Sequence, residues 1–418
     1  MITNLCVAIY TMGLFLWEYI VFLCGREKNV CLCNMLHKLA KVNVLYIKVL
    51  QSLSTQEKLL THEQLRTISH YTNNAPYRDD DIDTDFINYL GDNDSRIVLS
   101  NNARPIKSGT IALVYKGTMD NKEVVIKVAK KDIYNKIYNG LEQLKYIVRF
   151  IMLFNYSLSI DVDEFLQEHR EIFLQQVDFQ KEIENLKQTK SNFKHVDTVV
   201  VPDVYENYTE RYSNMIVMDY IDGIELSELQ EEDKQQYVPI IIKYFLKSFI
   251  YDRFYHADFH PGNILFIKNN GYKIGLIDFG IMNTFNEDEQ EAIMHFVKTM
   301  CGDSDYSASL TVSMKNLVVP KERYQTLDSL HKTYIIEKNA YIIKNCFDNG
   351  DILTPKELQD MNSILHLYDL KVDSSLCKFI LALAVLDSVV YKLRSGELYI
   401  DLLKKHGSDL FSTSLFEM

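Results

Sequence analysis

Apolar positions recur along this chain in three different rhythms, and each predicts a different kind of element. Residues 1–24, MITNLCVAIYTMGLFLWEYIVFLC, are apolar almost without interruption, and Glu18 is their one charged side chain. The length suits a bilayer span of about 20 residues. Glu18 would cost about 2.5–3.5 kcal/mol near a bilayer centre and little near the Arg26 end. No positive region precedes the run, which argues against a cleaved secretory signal. A membrane anchor is the expectation, with an apolar helix packed on the domain as its rival. Arg26, Lys28, Lys38 and Lys41 would then favour a cytoplasmic side for the rest of the chain. Helical spacing begins next: Leu36, Leu39, Asn43, Tyr46, Ile47, Leu50 and Leu53 predict a helix over 34–54. Residues 72–83 read as a loop.

Over 97–129 the rhythm changes to strands. IALVYKG and KEVVIKVAK are joined at Met119-Asp120-Asn121, a hairpin signal. Helical spacing returns over 132–156 and again over 165–188, where Phe179, Ile183 and Leu186 share a face. Short strands are expected near 197–203 and 214–220. Beyond 225 the pattern is mostly helical, interrupted by ILFI (264–267) and IGLID (274–278). The helix near Phe379–Leu393 reads as core, since Asp387 and Lys392 break its apolar run. The expected organisation is a candidate anchor at 1–24 and a helical extension at 25–96. A sheet-bearing lobe comes next at 97–224, with a helical insertion at 132–166, and then a helical lobe at 225–418.

At 418 residues the chain is long enough for about two to four compact units. Its 47% hydrophobic and 24% charged residues exclude a largely disordered or collagen-like chain. With 45 Lys+Arg against 57 Asp+Glu, the net charge is −12. No basic face of the kind nucleic acids require is indicated, so nucleic acid is not an expected partner. The seven Cys form no CxxC pair, which argues against a structural zinc site. So few Cys in a chain this long argue against a disulfide framework and fit a reducing compartment.

The strongest chemical signal is His256-Ala257-Asp258-Phe259-His260-Pro261-Gly262-Asn263, with Asp278-Phe279-Gly280 after it. An Asp with an Asn five residues on, then Asp-Phe-Gly after a short β segment, is the layout of a kinase catalytic loop and metal loop. A nucleoside triphosphate bound with Mg²⁺ needs oxygen ligands from two loops. Asp278 and Asn263 are the expected metal ligands, and Asp258 would orient the nucleophile or accept its proton. Upstream, Lys127 in Val124-Val125-Ile126-Lys127-Val128 resembles the strand lysine that holds α/β-phosphates. With apolar flanks it needs a partner, and Glu182 is the candidate. The loop Pro105-Ile106-Lys107-Ser108-Gly109-Thr110 carries one Gly where a protein kinase has three, so Gly109 alone offers an unhindered approach to a phosphate. His256-x-Asp258-x-His260 could instead bind a transition metal, but that leaves Asn263, Asp278 and Lys127 unexplained. The Arg of HRD is missing, and so is an APE. Both absences argue against an ordinary kinase that docks peptides.

These residues resemble the atypical-kinase family called ABC1, ADCK or UbiB, over about residues 36–400. Tyr255–Asn263 is similar to its FHADxHPGN loop, and Val177–Asn185 is similar to its LDFxxEAxN helix. Lys48 and Gln51 match the family's N-terminal KxGQ signature, with Leu50 in place of the Gly. The Pro105–Val114 loop corresponds to the family's alanine-rich loop but lacks its alanines. The resemblance implies an α+β, two-lobed protein-kinase-like fold with a helical N-terminal extension. It implies ATP and Mg²⁺ as cofactors, with Lys107, Ser108, Gly109, Thr110 and Lys127 on the nucleotide. It also implies slow ATPase or small-molecule phosphotransferase activity linked to isoprenoid lipid or quinone metabolism. A lipid or membrane surface is the implied partner. The alternatives are a nucleotide-gated scaffold without turnover and an active serine/threonine kinase.

Overall fold

The computed structural model describes residues 2–43, 45–46, 75, 77–93, 96–152, 170, 174, 176–300, 306–349, 353, 355–394 and 399–407. Lys48, Leu50 and Gln51 lie outside the described residues, as does the 153–166 part of the expected insertion. The chain forms two compact units. One holds Met1–Lys187 and Pro202–Tyr220, the other Gln188–Val201 and Ile221–Met418.

The first unit begins with α1 (Ile2–Leu23) and α2 (Lys28–Val42), which pack on each other. The helix expected over 34–54 therefore starts earlier and is broken at Asn43; Leu45 and Tyr46 are helical again, and 47–54 lie outside the described residues. The break is a tertiary effect. Asn43 takes an extended backbone, its Oδ1 accepts the Leu45 N–H at 2.8 Å, and its Nδ2 donates to the Lys136 carbonyl at 2.9 Å. Further on, α3 (Asp85–Asn93) leads into β1 (Ile97–Leu99), β2 (Lys107–Ser108), β3 (Ala112–Met119) and β4 (Lys122–Ala129). Asp120 and Asn121 close the β3–β4 hairpin with φ of 49° and 65°, a left-handed pair that short polar residues tolerate. Then come α4 (Ile133–Met152), which carries Lys136, and α5 (Phe179–Asn192). After β5 (Val199–Val200), a strand of the second unit, α6 (Glu206–Arg211) and β6 (Met215–Asp219) complete the first.

All five strands of this sheet pair antiparallel, in the order β1-β3-β4-β6, with β2 also on β3. Strand alternation sorts the two faces. Val124, Ile126 and Val128 of β4 pack with Leu113, Tyr115, Met215 and Val217 over Phe86. The other face brings Ala112, Ala129 and Ile216 against Ile133, Ile137 and Leu141 of α4 and Phe179 and Ile183 of α5. Lys127 has the odd-numbered parity of Ala129, so it points to the α5 face.

In the second unit, β5 runs parallel to β9 (Lys273–Leu276), and β8 (Ile264–Ile267) lies antiparallel on its other side. This pairing draws 188–201 out of the sheet-bearing lobe where the sequence pattern had placed them. A second ribbon joins β7 (Phe254–His256) to β10 (Met282–Thr284). Between α7 (Glu231–Leu246) and β7, a π-helical turn spans Lys247–Tyr251. Lys247 Nζ contacts both carboxylate oxygens of Asp252, at 2.6 and 2.7 Å. The helix Ser374–Leu393 buries Phe379, Leu383 and Leu386, which makes it a core helix as its interrupted pattern predicts.

Candidate nucleotide site

The candidate side chains form two clusters, one in each unit. In the first, β4 holds Lys127 in the middle of the sheet, opposite Val114 on one side and Ile216 on the other. α5 begins at Asp178, whose Oδ1 accepts the Lys181 N–H at 3.0 Å, a side-chain cap that fixes the first turn. One residue past Lys181, Glu182 faces the sheet. Lys127 Nζ and Glu182 Oε1 lie 2.6 Å apart, with side chains 12% and 4% exposed. The Phe179 ring lies 5.7 Å from the same ammonium. A buried charge pair of this kind persists only when both partners are present.

The expected phosphate loop is a tight β2–β3 turn. Lys107 pairs with Val114 and Ser108 with Leu113, and the Gly109 N–H is used on the Ala112 carbonyl at 2.9 Å. Ser108 and Thr110 are buried, and Lys107 is half-buried. The Ala75 N–H donates to the Ser108 carbonyl, so a described residue of the extension sits directly on this turn.

In the second unit, β7 delivers the catalytic-loop sequence and β9 delivers Asp278. The Asn263 Nδ2 donates to the Asp258 carbonyl at 2.9 Å, and the Ile277 N–H donates to the Asn263 carbonyl. Committing the amide nitrogen this way leaves the amide oxygen as the outward donor atom for a ligand. Asp278 is oriented by the Gly280 N–H on its Oδ1 at 2.9 Å. Phe259 and Phe279 are buried behind the loops, with Phe259 stacked on Tyr244 at 4.8 Å.

His256 ties the two loops together. Its Nδ1 accepts the Asp258 N–H at 3.1 Å, so its Nε2 carries the proton and donates to the Asp278 carbonyl at 2.9 Å. Burial pushes its pKa down, against the opposing pull of Asp278 and Asp258. In the sequence pattern this His is only one letter of the motif. Its place two residues before Asp258 is the signal for its bridging role. With both ring nitrogens engaged on the backbone, His256 is no metal ligand, which removes the His-x-Asp-x-His alternative. Among the described residues no group of three or more His, Cys, Asp or Glu is arranged to hold a metal. The Asp278 carboxylate and the Asn263 amide oxygen are hard donors that fit Mg²⁺ better than a transition metal. Nearby, His260 Nδ1 accepts the Gly262 N–H, and His260 Nε2 lies 3.9 Å from Asp258 Oδ2.

A five-stranded antiparallel sheet whose central lysine is paired to a helix carboxylate defines a protein-kinase-like fold, together with Asp-Asn and Asp-Phe-Gly loops laced by one histidine. Residues 71–312, more than half of the chain, match the ABC1 atypical kinase-like domain, and the chain belongs to that family. It is 25% identical over 283 residues to the chloroplastic protein Activity of BC1 complex kinase 8 of Arabidopsis thaliana, covering 64% of this chain and 37% of that one. It is 28% identical over 230 residues to a protein of Cellvibrio japonicus named "Probable protein kinase UbiB", covering 53% and 41%. The chain thus spans less than half the length of these relatives. Among solved structures it is similar to the complex of Rv3197 with erythromycin from Mycobacterium tuberculosis, at 17% identity and a TM-score of 0.49, covering 86% and 90%. The helical segment Thr3–Leu23 is long and apolar enough to cross a membrane, with a mean hydropathy of 1.8.

Proposed function

We propose that the chain binds ATP with Mg²⁺ and either hydrolyses it slowly or passes its terminal phosphoryl group to a small molecule. By family resemblance the acceptor belongs to isoprenoid lipid or quinone metabolism. The observation that carries the reading is the buried Lys127–Glu182 pair at 2.6 Å. It fixes the ammonium that would bind the phosphates. Asn263 and Asp278 would hold the metal, which would supply charge neutralisation on the phosphates. Asp258 would orient the acceptor hydroxyl or water and take its proton. Lys107, Ser108, Gly109 and Thr110 are the proposed phosphate-side turn.

One observation favours a second reading, nucleotide binding without turnover. The Gly109 amide already serves the Ala112 carbonyl, and the Ser108 and Thr110 side chains are buried. That turn offers a phosphate fewer donors than a glycine-rich loop does.

Thermal stabilisation of the full chain separates these readings. A ligand at about 100 times its dissociation constant stabilises the native state by about 2.7 kcal/mol. The expected result is a shift with ATP that requires Mg²⁺ and disappears in Asp278→Asn, accompanied by Mg²⁺-dependent phosphate release. A shift without phosphate release favours the scaffold. No shift in a well-folded sample refutes the nucleotide reading altogether.

A further inference from the structure

Three polar side chains of α1, Asn4, Thr11 and Glu18, face the protein while most of its large apolar ones face solvent, the reverse of an ordinary surface helix. Asn4, Thr11 and Glu18 are seven residues apart, close to two helical turns, so they share one side. That side packs on the protein and is partnered. Asn4 Nδ2 donates to Asn139 Oδ1 of α4 at 3.0 Å, and Gln143 of the same helix donates to Asn4 Oδ1 at 3.4 Å. Ala8 and Thr11 are fully buried. Glu18, 5% exposed, is ion-paired with Lys38 of α2 at 2.6 Å. On the opposite side Ile9, Tyr10, Leu16, Trp17, Ile20 and Leu23 are 44–63% exposed and form an uncharged strip.

We propose that α1 lies flat on a phospholipid bilayer, with this strip set into the acyl boundary and its polar side kept on the first unit. A transmembrane arrangement conflicts with the contacts. α4 grips α1 near Asn4 and α2 grips it near Glu18, so a crossing α1 would carry both partners to bilayer depth. Those partners bear Lys136, Glu142, Lys145 and Arg149 on α4 and Lys38 and Lys41 on α2, charges that a hydrocarbon core rejects. A second copy of the chain is the poorer occupant. One 22-residue helix face measures about 33 Å by 10 Å, or about 330 Å², against the ~800 Å² per partner of a stable protein interface. A bilayer needs no matched surface. Tyr10 and Trp17 have the apolar body and polar tip that favour the headgroup boundary. The strip carries no cation and the chain is net negative, so insertion rather than attraction to anionic lipid drives binding. The inference is independent of the nucleotide reading.

Trp17 is the chain's sole tryptophan and sits in the strip, so it reports directly. The full chain is floated with phosphatidylcholine vesicles in high salt. The expected result is co-flotation, a blue shift of Trp17 emission, and stronger quenching by nitroxides near the glycerol than by those at the acyl-chain end. Leu16→Glu combined with Ile20→Glu should lower the bound fraction by about tenfold or more while leaving the thermal melt in solution unchanged. Three results would overturn the proposal: no flotation of folded protein, strongest Trp17 quenching from the bilayer centre, and a concentration-dependent dimer lost in the double variant in place of vesicle binding.

Discussion

The Lys127–Glu182 pair permits a quantitative test that needs no substrate. Glu182→Leu leaves an ammonium that is 12% exposed with its carboxylate gone, and Lys127→Met leaves a carboxylate that is 4% exposed. Breaking a buried pair on one side costs about 3–5 kcal/mol. The low end applies here, because the Phe179 ring remains 5.7 Å from the ammonium and Lys127 retains some access to water. The first unit contains about 200 residues, so about 3 kcal/mol corresponds to a fall in melting temperature of roughly 6–12 °C. The double variant replaces the pair with two apolar side chains and should return to within about 1 kcal/mol of the parent. The double-mutant cycle should therefore give a coupling of at least about 2 kcal/mol. Circular dichroism melts and urea unfolding of the four proteins measure it. Additive single effects, or single variants within about 0.5 kcal/mol of the parent, would show that the contact contributes little to holding α5 on the sheet.

Two further predictions concern the same unit. Lys130 is buried, and burial brings its pKa down to about 8, while Asp81 is already ion-paired to Lys136 at 2.6 Å. Unfolded lysine titrates near 10.5, so between about pH 8 and 10.5 the unfolded chain holds more protons and stability rises with pH. Lys130→Met should stabilise the protein at pH 7 by on the order of 2–3 kcal/mol, with the gap closing as pH approaches about 10.5; urea midpoints at the two pH values check both parts. Gly140→Ala in α4 should gain about 1 kcal/mol of helix propensity and still destabilise by about 1–2 kcal/mol. The new Cβ would sit 2.7 Å from Asn43 Oδ1 and 2.9 Å from Leu45 Cβ. A stabilised variant in urea would show that the 43–45 segment does not need this close approach.

The sequence revealed most where one residue type has one physical use. Asp120-Asn121 announces a hairpin because few residues accept a left-handed φ, and the strands on either side alternate as their pattern requires. The Asp258–Asn263 and Asp278-Phe279-Gly280 spacings located the second cluster, since backbone bonds across a short β ribbon fix those distances. The pairing of Lys127 with Glu182 came from an apolar strand that needed a counter-charge. Features that depend on distant parts of the chain were harder to read. Apolar spacing runs through Asn43 without a signal, and the bonds of its side chain to the Lys136 carbonyl of α4 and the Leu45 N–H explain why the helix is interrupted there. Two valines give no hint that β5 pairs with β9 rather than with the sheet nearer in sequence. In α1 the same apolar run serves a span or a flat helix equally well; the partners of Asn4 and Glu18 are what favour the flat helix proposed above.

The parallel pairing of β5 with β9 also sets an order of events during synthesis. β5 begins at Val199 and β9 at Lys273, 74 residues later. At about 5–20 residues per second, β5 emerges from the ribosome roughly 4–15 seconds before its partner does. Within that interval β6 arrives, and the antiparallel sheet can close while the segment just before it still waits. A nascent chain arrested between Asp219 and Lys273 would therefore carry a finished sheet and an unclaimed strand edge. Such an edge is an opening for chaperones and for mispairing with neighbouring chains.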